Sequence, residues 1–396
     1  MSTTDKFFGQ QKEKSKIKTL IVNDFFKAYF PIINYSVGQS ASEIIYIDLF
    51  CGPGRFDNGE PSTPIALLDT IDSFKLGAIR QKIRIIFNDE NSEYITALKK
   101  SVEEHEVVRK LCNAPEIFNK RACDVDIKKY TIKKVPIFSF IDPWGYIDIS
   151  TEQIWTLVEN IGSDCVLFFN SNRILMDINK EVQSEHFKQI FGDELPEAQK
   201  VAKDGRLSPW EKTQKFLELF SKNLSNRMAK SKYKEYKLFV LPFSFEADDK
   251  EKISHHIVFI SKAHKAILEM KKVMVKHSNS TGEQLGYDSK DQLQISLFNR
   301  QDNIEEAVIK SIKSYFISNK TLVDQTWSIV KLLEALDNYN MSIAFQVTPY
   351  TLDDVRIAIE MLDKKNGIDI NIEPGKKIKK RITIERDFKI KKEIVV

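Results

Sequence analysis

Residues 44–56, IIYIDLFCGPGRF, constrain the fold of this chain more than any other stretch. A β-prone apolar run ends in an acid, Asp48, and passes directly into a loop carrying Gly52 and Gly54. That pattern predicts a buried strand feeding a tight turn that faces a ligand. Glycine lacks a Cβ, so the backbone can approach a bound molecule closely, and an acid at the strand tip can accept hydrogen bonds from it. The dinucleotide fingerprint is a poor match, because the acid precedes the loop and Phe50 stands where the first glycine of GxGxxG would fall.

Downstream the chain alternates apolar strand-like runs with amphipathic helical ones. IRIIFN at 83–88 predicts a second buried strand closed by Asp89 and Glu90, VPIFSFID at 135–142 a central one, and CVLFFN at 165–170 another, with a weaker candidate over 122–127. Between them, TPIALLDTIDSF, SEYITALKKSVEEH and STEQIWTLVENI have helical spacing, and 14–30 predicts a leading helix ended by Pro31. Such alternation indicates a mostly parallel sheet with both faces covered. The polar, helix-rich stretch 171–235 interrupts the rhythm as an insertion, after which 236–245 and 255–263 predict two antiparallel closing strands and KAILEMKKVMVKHS a helix.

Composition adds boundaries. Sixty basic residues against fifty-six acidic ones leave a net charge of only +4, so bulk charge does not point to nucleic acid, but residues 371–396 carry nine Lys/Arg against four Asp/Glu. Four cysteines without CxxC spacing support neither a zinc site nor a disulfide framework. A polar N-terminus and the lack of a bilayer-length apolar run lead to the expectation of a cytoplasmic protein. The organisation expected is a Rossmann domain over 1–280, a linker over 281–303, and a domain over 304–396 with three short helical patterns and two β-like runs around PGKK. The last of these predicts a winged-helix-like unit.

The segment Asp48-Leu49-Phe50-Cys51-Gly52-Pro53-Gly54 resembles the DxFxGxG first motif of class I S-adenosylmethionine (SAM) dependent methyltransferases. Together with PSTPIALL at 61–68, FNDEN at 87–91, FIDPWGY at 140–146 and MKKVM at 270–274, the order is similar to the three-Cys-motif partner protein family, over most of residues 15–280. The resemblance implies a SAM-binding Rossmann-like domain in bacterial proteins often encoded beside a radical-SAM-like protein with a three-cysteine motif.

The cofactor would then meet Asp48, Phe50, Gly52, Pro53 and Gly54, with Asp48 toward the methionine end. An acid closing the second strand can accept both ribose hydroxyls, which favours Asp89 with Glu90 as runner-up. Asp124 is the candidate for the adenine amino group. FIDPWGY places Asp142 beside the transferable methyl as base or hydrogen-bond acceptor, with Trp144 or Tyr146 as a stacking face. It departs from the [DN]PP[YFW] motif of amino-methyltransferases, since Trp144 replaces the second proline and Gly145 the aromatic. Cys51 reads as packing, and adjacent His255 and His256 make no metal pair because strand neighbours point to opposite faces.

The functional expectation is metal-free methyl transfer to a nucleic acid or an associated partner, with Lys376, Lys377, Lys379, Lys380 and Arg381 as nucleic-acid contacts. The rival is a non-catalytic SAM-binding sensor or defence-associated protein that works with the three-cysteine partner.

Overall fold

The computed structural model describes residues 3–36, 41–74, 82–143, 148–246, 253–279, 284–287, 297–322, 325–364 and 388–389. Its centre is an eight-stranded sheet of order β3-β2-β1-β4-β5-β7-β6-β8. The strands are β1 (Ile44–Asp48), β2 (Ile83–Asp89), β3 (Glu116–Asn119), β4 (Ile137–Ile141), β5 (Asp164–Phe169), β6 (Phe239–Glu246), β7 (Ile253–Ser261) and the two-residue β8 (Gly286–Tyr287). The first five run parallel, and β7 is antiparallel to both β5 and β6. The central strands β1 and β4 are buried at every position, as a parallel sheet covered on both faces requires.

The covering is divided between two apolar layers. Helices α1 (Thr3–Ser36), α2 (Thr63–Asp72), α3 (Ser92–Glu103) and α10 (His264–Lys276) close one face. The other is closed by α4 (Lys128–Thr131), α5 (Thr151–Val158) and the inserted helices α6 (Ser171–Asp177), α7 (Ser184–Phe191), α8 (Leu195–Lys203) and α9 (Pro209–Ala229). Local sequence sets several starts: Asn91 accepts from the backbone N–H of Glu93 and Tyr94 to cap α3, and Ser208 with Glu211 forms a capping box in front of Pro209 in α9.

Three expectations need correction. The helix α1 does not end at Pro31 but runs through it to Ser36. An interior proline removes one helical hydrogen bond, yet the turns before it bury Phe25, Phe26, Tyr29 and Phe30 against the sheet, and the Tyr29 hydroxyl donates to the Gly162 carbonyl at 2.6 Å. The third strand is 116–119, not 122–127; residues 122–124 form a 3-10 turn. It lies at the sheet edge and is only partly buried, so it lacks the strong apolar signal of its neighbours. Within the expected linker, Gly286 and Tyr287 pair with β6, and α11 (Leu297–Ser318) begins before residue 303.

A separate apolar cluster joins α11, α12 (Ile329–Ala344), α13 (Leu352–Lys364) and a small antiparallel pair, β9 (Thr326–Trp327) with β10 (Phe388–Lys389). The basic run 376–381 and the PGKK turn lie outside the described residues. This cluster is fastened to the sheet domain by a buried ion pair. The Lys271 ammonium in α10 donates to both oxygens of Asp337 in α12 at 2.8 Å, with both side chains fully buried. His264 Nε2 bonds the same carboxylate at 2.8 Å, and the backbone N–H of Thr348 donates to it at 2.9 Å.

Candidate functional site

The strand order brings the C-terminal ends of β1, β2 and β4 together, and with them Asp48, Asp89 and Asp142. The glycine loop is folded onto the tip of β2. Asp89 Oδ2 accepts from the N–H of Gly52 at 2.9 Å while its Oδ1 accepts from the N–H of Asn91 at 2.9 Å. Beside it the Asn88 carbonyl accepts from the N–H of Cys51 at 2.9 Å, and the Asn88 side chain donates to the carbonyls of Leu49 and Lys120. Asn88 is fully buried and was not singled out from the sequence, although it sits inside FNDEN.

The two loop glycines are not equivalent. Both have positive φ, +64° for Gly52 and +84° for Gly54. A Cβ on Gly52 would meet nothing within 4 Å, whereas one on Gly54 would lie 2.8 Å from Leu98 Cδ1 and 3.2 Å from Ile65 Cγ1. Gly52 therefore presents its bare face to open space. Gly54 instead lets α2 and α3 close on the loop.

Asp48 has no exposed surface. Its Oδ1 accepts from the N–H of Phe50 at 3.1 Å, and its Oδ2 is buried without a hydrogen-bond partner. Burial pushes its carboxyl well above the usual range; the Phe50 N–H opposes the shift, and the charges of Asp142 and Asp89 add to it. Phe50 and Pro53 are partly exposed. The Cys51 thiol is buried and pushed well up, chiefly by burial, which disfavours the thiolate and agrees with a packing role.

Asp89 is nearly buried and bonded to the loop, while Glu90 is exposed and offers its backbone carbonyl to Asn119 at 2.9 Å. Asp124 is exposed at the end of the 3-10 turn after β3. Trp144 and Tyr146 lie outside the described residues.

Asp142 has a partner that sequence spacing could not show. Lys18, near the middle of α1, donates to Asp142 Oδ2 at 2.7 Å and holds its ammonium 4.2 Å from the Phe168 ring centroid. This middle part of α1 therefore crosses the tips of β4 and β5, and Lys14 reaches on to the Glu246 carbonyl at 2.7 Å. His255 stacks on Phe245 and packs against Phe168, with its imidazole held well below the ordinary range first by burial and then by Lys18 and Lys14. His256 points to the opposite face, as expected, where its Nδ1 bonds Ser171 Oγ at 2.8 Å. Burial alone pushes His256 down to about 3.

No protein-family model and no curated protein matches the chain. Solved structures similar to it include a Legionella pneumophila protein at 9% identity, covering 65% of this chain and 91% of that one with a TM-score of 0.37. A plantazolicin methyltransferase in complex with S-adenosylhomocysteine (SAH) is similar at 10% identity over 64% and 87%, with a TM-score of 0.34. The O-methyltransferase TomG from Streptomyces achromogenes, in complex with SAM, is similar at 12% identity over 60% and 79%, with a TM-score of 0.30. At these scores the likeness adds nothing to the topology read from the chain itself. No described helix is long and apolar enough to cross a membrane.

Proposed function

We propose that the chain binds SAM at the tips of β1, β2 and β4 and transfers its methyl group to an acceptor held toward β4 and β5. One observation carries this reading: the Gly52 N–H is bonded to Asp89 while the missing side chain of Gly52 leaves open space. That is the arrangement a cofactor needs to lie along a glycine loop with an acid at its ribose. The orphaned Asp48 Oδ2 behind the same loop and the reversed β7, inserted antiparallel between β5 and β6 in the closing part of the sheet as class I methyltransferases have it, support it.

In this reading Asp89 accepts from the ribose hydroxyls, with Glu90 as the alternative, while Phe50, Gly52 and Pro53 line the cofactor and Asp124 meets the adenine edge. When bound, the cofactor supplies an electrophilic methyl group on a sulfonium sulfur. Asp142 accepts a hydrogen bond or proton from the acceptor, and the sheet edge fixes the approach, so catalysis comes from positioning. Residues 304–396 form a winged-helix-like unit that brings nucleic acid to the site through Lys376, Lys377, Lys379, Lys380 and Arg381, or docks a three-cysteine-motif partner.

Calorimetric titration with SAM and SAH tests the first half of the reading, and transfer of labelled methyl from SAM into nucleic acid or lysate tests the second. Absence of binding by folded protein at millimolar ligand would end both. The ion pair between Lys18 and Asp142 favours a second reading, a SAM-binding sensor, because it occupies the carboxylate an acceptor would use. Binding without transfer would select it.

A further inference from the structure

Away from the carboxylates, a cavity of about 350 Å³ lies between α9, the β6–β8 edge of the sheet and the end of α12 with the segment that follows it. Neither Asp48, Asp89 nor Asp142 lines it, so it is independent of the reading above. Its volume falls at the lower end of small-molecule sites, and its position between the sheet and the C-terminal helices is one where such sites recur.

The chemistry of the walls selects a ligand. Trp210, Gln214 and Glu218 are spaced i, i+4, i+8 on α9 and form one side as a continuous stripe. Trp210 at one end remains substantially exposed. At the other end Glu218 is partly buried and has no hydrogen bond or ion pair among the described residues; burial raises its carboxyl, and only the charge of Lys215, which also lines the cavity, opposes that. Its neighbour Glu211 is already committed, because its carboxylate accepts from the N–H of Ser208 at 2.8 Å. The deep wall is neutral: His256, uncharged through burial, is bonded to Ser171 and lies 3.4 Å from Gln214 Nε2.

Lys215 lines the cavity too but is exposed to solvent, so the charge that loses solvation here is the negative one of Glu218, two helical turns from an aromatic face. A phosphate or carboxylate would be repelled, while an ammonium would restore the solvation Glu218 has lost and an aromatic body would cover Trp210. We propose that this cavity is a second ligand site, selective for a small organic amine that carries an aromatic group, with Glu218 as its counter-ion. Because the far wall belongs to the segment 340–349, which Asp337 and Thr348 tie to Lys271, an occupant contacts the sheet and the C-terminal helices at once.

The test uses the full chain and three near-isosteric probes in calorimetric titration: phenethylamine, 3-phenylpropionate and the neutral 3-phenylpropanol. The amine is expected to bind about tenfold more tightly than the carboxylate, the scale of a charged hydrogen bond. Glu218→Gln should remove that preference and Trp210→Ala should weaken all probes that bind. Lys215→Gln should tighten the amine, since it removes the competing cation. Lys215 is exposed and Glu218 holds no bond among the described residues, so unchanged thermal unfolding of both variants is expected to accompany these shifts. Equal binding of amine and carboxylate, a preference that survives Glu218→Gln, or no saturable binding of any probe by folded wild type would overturn the proposal.

Discussion

Replacing Gly54 and Gly52 separately by alanine distinguishes a glycine kept for packing from one kept for a ligand. Both sit at positive φ, where an L residue costs about 1–2 kcal/mol. At Gly54 the new methyl would also stand 2.8 Å from Leu98 Cδ1 and 3.2 Å from Ile65 Cγ1. Leu98 and Ile65 are themselves essentially buried, so neither can step aside into solvent, and overpacking adds about 1–3 kcal/mol. Gly54→Ala is therefore expected to destabilise the fold by roughly 2–5 kcal/mol, the sum of those two effects. Gly52→Ala carries only the backbone cost, because nothing lies within 4 Å of its Cβ position. Urea unfolding of the two variants measures the difference, and SAH titration of the folded fraction measures the other half: Gly52→Ala should lose affinity out of proportion to its small stability loss. If the two variants lose equal stability, or if Gly52→Ala binds SAH like wild type, the assignment of separate duties to these glycines is wrong.

Further outcomes follow from other parts of the molecule. Lys271→Met strands Asp337 in the interface and should cost about 3–5 kcal/mol, whereas the double variant Lys271→Met, Asp337→Leu should regain much of it; a double variant as unstable as the single would show that the ion pair is not the fastening. His256 has a folded pKa of about 3 against about 6.5 unfolded, so the unfolded chain binds the extra proton and stability contributed at neutral pH is lost as pH falls below about 6.5, by about 2 kcal/mol at pH 5. Asp164, pushed up to about 7, slopes the opposite way between about 4 and 7, so the check is the difference in pH profile between wild type and His256→Asn; identical profiles would exclude a buried neutral histidine. Asp142→Asn should leave SAM affinity within a few-fold and cut any methyl transfer by about a hundredfold or more, while joint loss of binding and folding would mark Asp142 as structural.

How much was legible in the sequence varies with how local the cause is. The strands β1, β2, β4 and β5 were evident because burial on both faces demands unbroken apolar runs, and the helices because their stripes repeat at helical spacing. Three helices beyond residue 296 and the opposite pointing of His255 and His256 were evident for the same reason, since periodicity is a property of the chain itself. The acids Asp48, Asp89 and Asp142 were found because each closes an apolar run, and a parallel sheet gathers such ends at one edge. The weak edge strand was misplaced because it is short and half exposed, and Pro31 was given too much weight because the burial of its neighbours was not visible.

The sequence by itself determined the alternation, and hence an α/β sheet with an acid-tipped glycine loop. Tertiary structure alone decided which glycine faces space, that Asp89 is spent in part on holding Gly52, and that Lys18, 124 residues away in the chain, neutralises Asp142. It also decided that Lys271 and Asp337, two ordinary charges in amphipathic helices, form a buried fastening. The physical reason is the same in each case. Periodicity and propensity act within a few residues, but a charge's partner, a Cβ's neighbours and the desolvation of a carboxylate depend on segments that only the folded sheet brings together.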